Sequence, residues 1–277
     1  MKPPQFVIKK RCKKYLVSAH GRAKTGKSLI LLLLAECLGL LNNDKVMLID
    51  TDEPADRDLV RADDSVMGMP MKTFDNVARI VSQAPEECTL ILADTAGASQ
   101  GFEEEVNKSQ KFLEASNLEK IGIIFTPNQT TYDALTLRWL SIFKNSPRGF
   151  LIQNSLTPCD LTDSSPIPDG IEAPKEMTVL RIPHLDSDAA NEISRLAVKF
   201  GTVIDGKVTP ERSEILSLAL YQDLVAIWAN DTLSILKPLI DFLNQIIAVT
   251  DDLAADSSTS ETQGEKASTK PLKVRTS

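Results

Sequence analysis

Gly21-Arg22-Ala23-Lys24-Thr25-Gly26-Lys27-Ser28 lies between two apolar runs, Tyr15-Leu16-Val17-Ser18-Ala19 and Leu29 to Leu41. The octet fits G-x-x-x-x-G-K-[ST], a loop that wraps its backbone around a polyphosphate. Gly21 and Gly26 permit a close approach that a Cβ would obstruct. Successive N–H groups turn inward, and the following helix presents its positive N-terminus to the phosphates. In such a loop Lys27 reaches the β- and γ-phosphates and the Ser28 hydroxyl ligates Mg²⁺. The flanks supply the required context, a short buried strand before the loop and a long run of helix formers after it. The eight loop residues and Leu29 are therefore the first candidates for nucleotide contact.

Working outward, alternation dominates the chain. Strands are expected at Tyr15–Ala19, Val46–Asp50, Thr89–Asp94, Ile121–Thr126, Phe150–Gln153 and Val179–Ile182. Helices are expected between them at Ser28–Leu41, Thr73–Gln83, Glu103–Ala115, Thr131–Phe143 and Asp188–Phe200. This βα alternation predicts an α/β fold, a doubly wound and mainly parallel sheet with helices on both faces. Short strands that are apolar throughout suit a sheet buried on both sides. Aromatic residues make up only 5% of a chain that is 42% hydrophobic, so the core must be mainly aliphatic. Leu156 to Glu176 carries Pro158, Pro166, Pro168 and Pro174 and reads as an irregular excursion. Two further helices are expected within about 211–249, Glu211–Trp228 and Asp231–Val249. Asp231-Thr232 would cap the second, and Pro238 would kink or shorten it. The expected organisation is a basic arm at 1–14, one nucleotide-binding domain at 15–250 and a disordered polar tail at 251–277.

The net charge of −7 argues against nucleic-acid binding by the whole surface. The charge is uneven, however: no acid precedes Glu36, while Lys9, Lys10, Arg11, Lys13 and Lys14 cluster before the first strand. That cluster is either a solvated arm or a contact for DNA, RNA or an acidic partner. The four cysteines, Cys12, Cys37, Cys88 and Cys159, form no C-x-x-C pair and suggest no zinc or cluster site. Their scatter fits reduced thiols in the cytoplasm. No apolar run precedes residue 15, so no signal peptide is expected. Leu29 to Leu34 is too short to span a bilayer.

Two further strand ends carry acids. Val46-Met47-Leu48-Ile49-Asp50 runs into Thr51-Asp52-Glu53-Pro54, and Thr89-Leu90-Ile91-Leu92-Ala93-Asp94 runs into Thr95-Ala96-Gly97. Ligands of open α/β sheets bind at the carboxyl ends of the strands, so these acids should fall beside the loop. Of Asp50 and Asp52, one would hold Mg²⁺ through water and the other would position an attacking water. Asp94 would hold Mg²⁺ through its water shell, and the Gly97 N–H would sense the γ-phosphate. Asp94 to Gly97 also fits the D-x-x-G of GTPases. The later Asp that pairs with guanine is missing from Gln153-Asn154-Ser155-Leu156, which favours adenine. His20 and His184 flank the loop and the last strand and read as supporting or surface residues. Trp139 and Trp228 read as packing residues.

Over about residues 15–200 these motifs resemble the ParA/MinD family of deviant-Walker ATPases. Asp50-Thr51-Asp52-Glu53-Pro54 is similar to that family's D-x-D-P-Q segment, whose second Asp is tied to water activation. Asp94-Thr95-Ala96-Gly97 resembles its Walker B segment, and Ile123-Ile124-Phe125-Thr126-Pro127 the strand ending in Pro that follows. Asn154 matches an Asn near the adenine, and Arg181-Ile182-Pro183 resembles a step that packs Pro183 on the ring. The loop departs from the family's K-G-G-x-G-K-[ST]: Arg22 replaces a Lys that reaches across a sandwich dimer, and Ala23 and Lys24 replace two glycines. Either Arg22 or Lys24 would act in trans, or neither would.

The resemblance implies an ATP- and Mg²⁺-dependent homodimerisation switch with slow hydrolysis stimulated by a small activator or adaptor protein. It further implies plasmid or chromosome partition, or cargo positioning, in a bacterial setting that includes plasmid-borne genes. Catalysis would rest on Lys27, Asp52 and Arg22 or Lys24, with Ser28, Asp50 and Asp94 at the metal. Non-specific DNA is a further expected partner, through the basic arm. The stripe Leu233, Leu236, Ile240, Leu243 and Ile247 reads as core or dimer contact rather than membrane surface. Two alternatives stay open: an ATP-dependent ligase of the dethiobiotin-synthetase or cobyrinate-amidase type, with 156–176 lining a substrate pocket, and a non-hydrolysing nucleotide-bound adaptor in plasmid maintenance or conjugation.

Overall fold

The computed structural model describes residues 13–22, 25–41, 43–51, 58–68, 84–95, 117–127, 133–155 and 171–248. Several expectations lie outside them: arm residues 1–12, Ala23, Lys24, the Asp52-Glu53-Pro54 segment, the helices at Thr73–Gln83 and Glu103–Ala115, Gly97, residues 156–170 and the tail from 251.

Seven parallel strands form one sheet: β1 (Lys14–Gly21), β2 (Val46–Asp50), β3 (Met67–Gly68), β4 (Leu90–Asp94), β5 (Leu118–Pro127), β6 (Arg148–Asn154) and β7 (Glu176–Ile182). Their order is β3-β2-β4-β1-β5-β6-β7, so the strand that leads into the Gly21–Ser28 loop is central. The expected α/β sheet is thus present, and all the described pairs are parallel. The described helices are α1 (Lys27–Cys37), α2 (Asp58–Ala62), α3 (Ala134–Ile142), α4 (Ser187–Leu196), α5 (Phe200–Ile204) and α6 (Ala219–Ile235). A seventh, α7, spans 237–248. None of the described helices is long and apolar enough to cross a membrane.

Side chains alternate between two covered faces, as the pleat requires. Val17, Ala19, Leu90, Leu92, Ile121, Ile123, Phe150 and Ile152 join the large core formed with α1 and the C-terminal helices. On the opposite face Leu16, Met47, Ile49, Ile91 and Ala93 form a second cluster. Ile124 and Leu151 form a third cluster there with Trp139, Leu140 and Phe143. Both faces are dry, which is why these strands read as continuous apolar runs rather than alternating ones.

Element ends differ from expectation for local reasons. α1 stops at Cys37 rather than Leu41, because Gly39 takes φ 59°. Gly39 N–H then donates to Glu36 O and Leu40 N–H to Ala35 O, the paired bonds of a Schellman stop. The helix expected at Asp188–Phe200 is instead α4 and α5. Ala197 takes φ 47° between them, a left-handed stop on a residue that carries no sequence signal for one. The expected break between Trp228 and Asp231 is absent, and Asp231-Thr232 lies inside α6 rather than at a cap. The chain breaks at Leu236 instead, and Pro238 sits in the first turn of α7, where its missing N–H costs nothing. Of the stripe read along this region, Leu236 and Leu243 are buried in the large core and Leu233, Ile240 and Ile247 pack against it. β3 was not expected.

One side chain joins two distant helix ends. Both carboxylate oxygens of Glu36, near the end of α1, accept backbone N–H bonds at the start of α5, from Phe200 at 2.7 Å and Gly201 at 3.0 Å. Lys199 adds an ion pair to Asp63 from the adjoining α2 end. Burial pushes the Asp63 carboxyl up, but the bonds from Lys199 and Ser65 outweigh it and bring its pKa down to about 2. Glu36→Ala should therefore cost about 1–2 kcal/mol in a chemical denaturation series, as loss of a charged cap does.

Candidate nucleotide site

β2 and β4 end level at one edge of the sheet, and β1 between β4 and β5 runs two residues further. Ala19 of β1 is the register partner of Asp94, and Asp94 is the partner of Asp50. Asp50 and Asp94 continue the alternation of Leu48 and of Leu90 and Leu92, so both carboxylates leave on the face that carries α1. Both are fully buried. Asp50 Oδ2 accepts from Leu59 N–H at 3.2 Å, which ties β2 to α2. Thr51 N–H donates to Asp94 O and Thr95 N–H to Ala19 O, so the pairing persists one residue beyond the strands.

The loop rises from this edge. Gly21 has φ 154°, and a Cβ there would stand 2.5 Å from Phe125 O on β5. Gly26 is the N-cap of α1 at φ 81°, and a Cβ there would stand 2.7 Å from Asn154 Nδ2. The backbone clash at 21 and the left-handed φ at 26 explain the glycines of the pattern directly. Lys27 is buried, and its ammonium donates to Arg22 O at 3.4 Å. The Thr25 hydroxyl donates to the same carbonyl at 2.8 Å. Ser28 and Leu29 follow, half-buried in the first turn of α1. Among the described residues no side chain caps that turn, and no acid lies in it. Arg22 is mostly exposed and pairs with Asp133 at 3.0 Å, while Asp133 also caps α3 through Thr136 N–H.

Asn154, at the end of β6, donates from Nδ2 to Thr25 O at 3.0 Å. Beside it opens a cavity of about 240 Å³ bounded by Gly26, Leu29, Asn154, Ser155, His184 and Trp228 among others. His184 Nδ1–H donates to Ser155 O at 3.3 Å. Pro183 does not line this cavity; its carbonyl accepts the Trp228 indole N–H at 2.9 Å. Ser155, Asn191 and the Trp228 ring were not among the candidates. Trp228 lies 74 residues beyond Asn154 on α6, and only its apolar character was visible in the sequence.

His20 lies beneath the loop, fully buried, on the face opposite Asp94. Its ring centroid is 4.0 Å from Trp139 and 5.1 Å from Phe143. Burial, with the nearby Lys27 ammonium as a second cause, holds its pKa well below the ordinary value of 6.5.

The donor set fits a magnesium-bound nucleoside triphosphate. Two buried carboxylates and a hydroxyl are the hard oxygens Mg²⁺ takes, and the loop adds a buried ammonium at the start of α1. No protein-family model and no curated protein matches the chain. Among solved structures the chain is similar to a ParA family ATPase from Chlorobium tepidum TLS. That likeness has 19% identity and a TM-score of 0.37, covering 78% of this chain and 97% of that one.

The neutral His20 imidazole sets a pH dependence. The unfolded chain takes up a proton near 6.5, and the folded chain does not until lower pH. Stability is thus fully present above that value and falls as pH drops below it, by up to about 1.4 kcal/mol per pH unit from this group. Urea midpoints between pH 7 and 5 should fall more steeply for wild type than for His20→Asn.

Proposed function

We propose that the chain is a ParA/MinD-like ATPase that binds ATP with Mg²⁺ and works as an ATP-dependent dimerisation switch. The observation that carries nucleotide binding is the level placement of two buried carboxylates, Asp50 and Asp94, on the face of the sheet that bears α1 and its N-terminal Lys27. Lys27 would neutralise charge on the β- and γ-phosphates, and the uncapped first turn of α1 would receive phosphate oxygens on its N–H groups. Ser28, Asp50 and Asp94 would hold Mg²⁺, which offsets the phosphate charge and orients the transferring group. Asp52 would position the attacking water and Gly97 would contact the γ-phosphate.

The cavity beside Asn154 would take the base. Residues 153–156 offer no carboxylate for the guanine N–H edge, and Asn154 and Ser155 supply amide and hydroxyl groups that suit adenine. Asn154 bonds Thr25 O, so the base site and the loop share one side chain.

Arg22 is a candidate for contact across a dimer, with Lys24 as the other. The Arg22 pair with Asp133 is open to solvent on the arginine side and worth about 1 kcal/mol or less. A partner's phosphate would outbid it through shorter charge-assisted bonds. The role extends, by family resemblance, to plasmid or chromosome partition or cargo positioning, with an activator protein stimulating weak hydrolysis. Lys13 and Lys14 of the basic cluster are engaged at home, with Glu119 and Pro85 O respectively. A DNA contact would therefore fall to Lys9, Lys10 and Arg11.

Two measurements test this function. Lys27→Ala should weaken ATP binding by about 100-fold or more in equilibrium titration, and undiminished affinity would remove the loop as a nucleotide site. In sedimentation with ATP and Mg²⁺, Asp52→Ala should accumulate as dimer. If wild type and variant both bind ATP yet stay monomeric at tens of micromolar, the dimer switch is excluded and ATP binding stands.

A further inference from the structure

The buried imidazole of His20 lies in a hydrogen-bonded relay with Ser18, Thr95 and Ala19. The Thr95 hydroxyl is 2.5 Å from Ala19 O, and a carbonyl can only accept, so Thr95 donates its one proton there. His20 Nδ1 lies 3.2 Å from the same Thr95 oxygen and must therefore donate to it. The neutral ring then presents Nε2 as an acceptor, and the Ser18 hydroxyl donates to it at 2.7 Å. The sequence of donors runs Ser18 to His20 to Thr95 to the Ala19 carbonyl. Thr95 N–H adds a second bond to that carbonyl at 3.2 Å.

The placement of this relay matters more than its strength. Thr95 is the residue after Asp94, and His20 is the residue before Gly21, where the Gly21–Ser28 loop begins. Pleating sends Asp94 to the α1 face and Thr95 to the opposite face, where His20 meets it. The relay thus joins the exit of β4 to β1 from behind the sheet.

We propose that His20 is a positioning residue for Asp94, acting through the Nδ1–H bond to Thr95 and setting the Mg²⁺-dependent part of nucleotide affinity. The proposal rests on the nucleotide–Mg²⁺ function above. The competing role for His20 is packing alone, beneath Trp139 and Phe143.

Two substitutions separate these roles. In His20→Asn the amide nitrogen falls where Nδ1 was and keeps the donor to Thr95, while the lost ring volume leaves a larger hole. In His20→Gln the amide reaches the Nε2 position toward Ser18, fills more of the space and withdraws the donor from Thr95. Thr95→Val removes the hydroxyl at nearly constant shape. The probes are ATP in EDTA and ATP with Mg²⁺, titrated against the full chain, with thermal melting recorded for each variant. Wild type and His20→Asn should gain equally in affinity from Mg²⁺. His20→Gln and Thr95→Val should lose about fivefold of that gain, the equivalent of one hydrogen bond, with metal-free affinity unchanged. If His20→Gln does not fold, Thr95→Val carries the comparison.

The proposal is overturned if His20→Gln or Thr95→Val keeps the full gain, or if His20→Asn loses as much as His20→Gln. A wild type that binds ATP with no gain from Mg²⁺ overturns it too, and leaves nucleotide binding standing. A wild type that binds no ATP at all removes the function on which the proposal rests.

Discussion

The parallel register of β2, β4 and β1 is the constraint on which the site depends. Asp50, Asp94 and Ala19 are paired across three neighbouring strands, so these residues are level. Parallel neighbours lie about 4.8 Å apart. Two buried carboxylates and the start of the loop are thereby confined to one short edge. A shift of one residue in β4 would send Asp94 to the opposite face, because side chains alternate with a period of two. The aliphatic packing of both faces opposes such a slip, since it would invert Ile91, Leu92 and Ala93 as well.

The same pleat divides labour between the faces. The α1 face carries Lys27, Asp50 and Asp94. The opposite face carries Ser18, His20 and Thr95 under Trp139. Burial would make any of these groups costly alone. The hydroxyls and the imidazole answer that cost among themselves. Asp50 is answered in part by Leu59 N–H. At these strand ends the charged groups therefore lie on the α1 face, while Ser18, His20 and Thr95 behind them are uncharged and hydrogen-bonded.

Much of this was legible in the sequence, for identifiable reasons. The glycines at 21 and 26 have separate causes: a Cβ at 21 would meet the Phe125 backbone O, and 26 takes a left-handed φ of 81°. β2 matched its expected bounds because Asp50 ends an unbroken apolar run. Helix ends were less legible. Gly39 did signal the stop of α1, but the apolar run through Leu41 masked it. Ala197 gave no signal, since its left-handed turn is held by bonds from Ala197 and Val198 N–H back to Ser194 and Ile193. Asp231-Thr232 looks like a cap by type alone, yet packing buries Thr232 within α6.

The sequence by itself determined the class of fold and the residues on which the proposed chemistry rests. A loop with two obligatory glycines, a lysine and a hydroxyl, followed by strands ending in acids, follows from local spacing. Only the tertiary structure decided which groups meet. Trp228 reaches Pro183 across 45 residues, Asn154 reaches Thr25 across 129, and Glu36 caps α5 across 164. Such contacts depend on strand order and on the packing of helices over the sheet, and no local pattern encodes either. His20 shows the difference most plainly. One histidine before a glycine carries no signal in the chain, and it acquires a role only when β4 is laid beside β1.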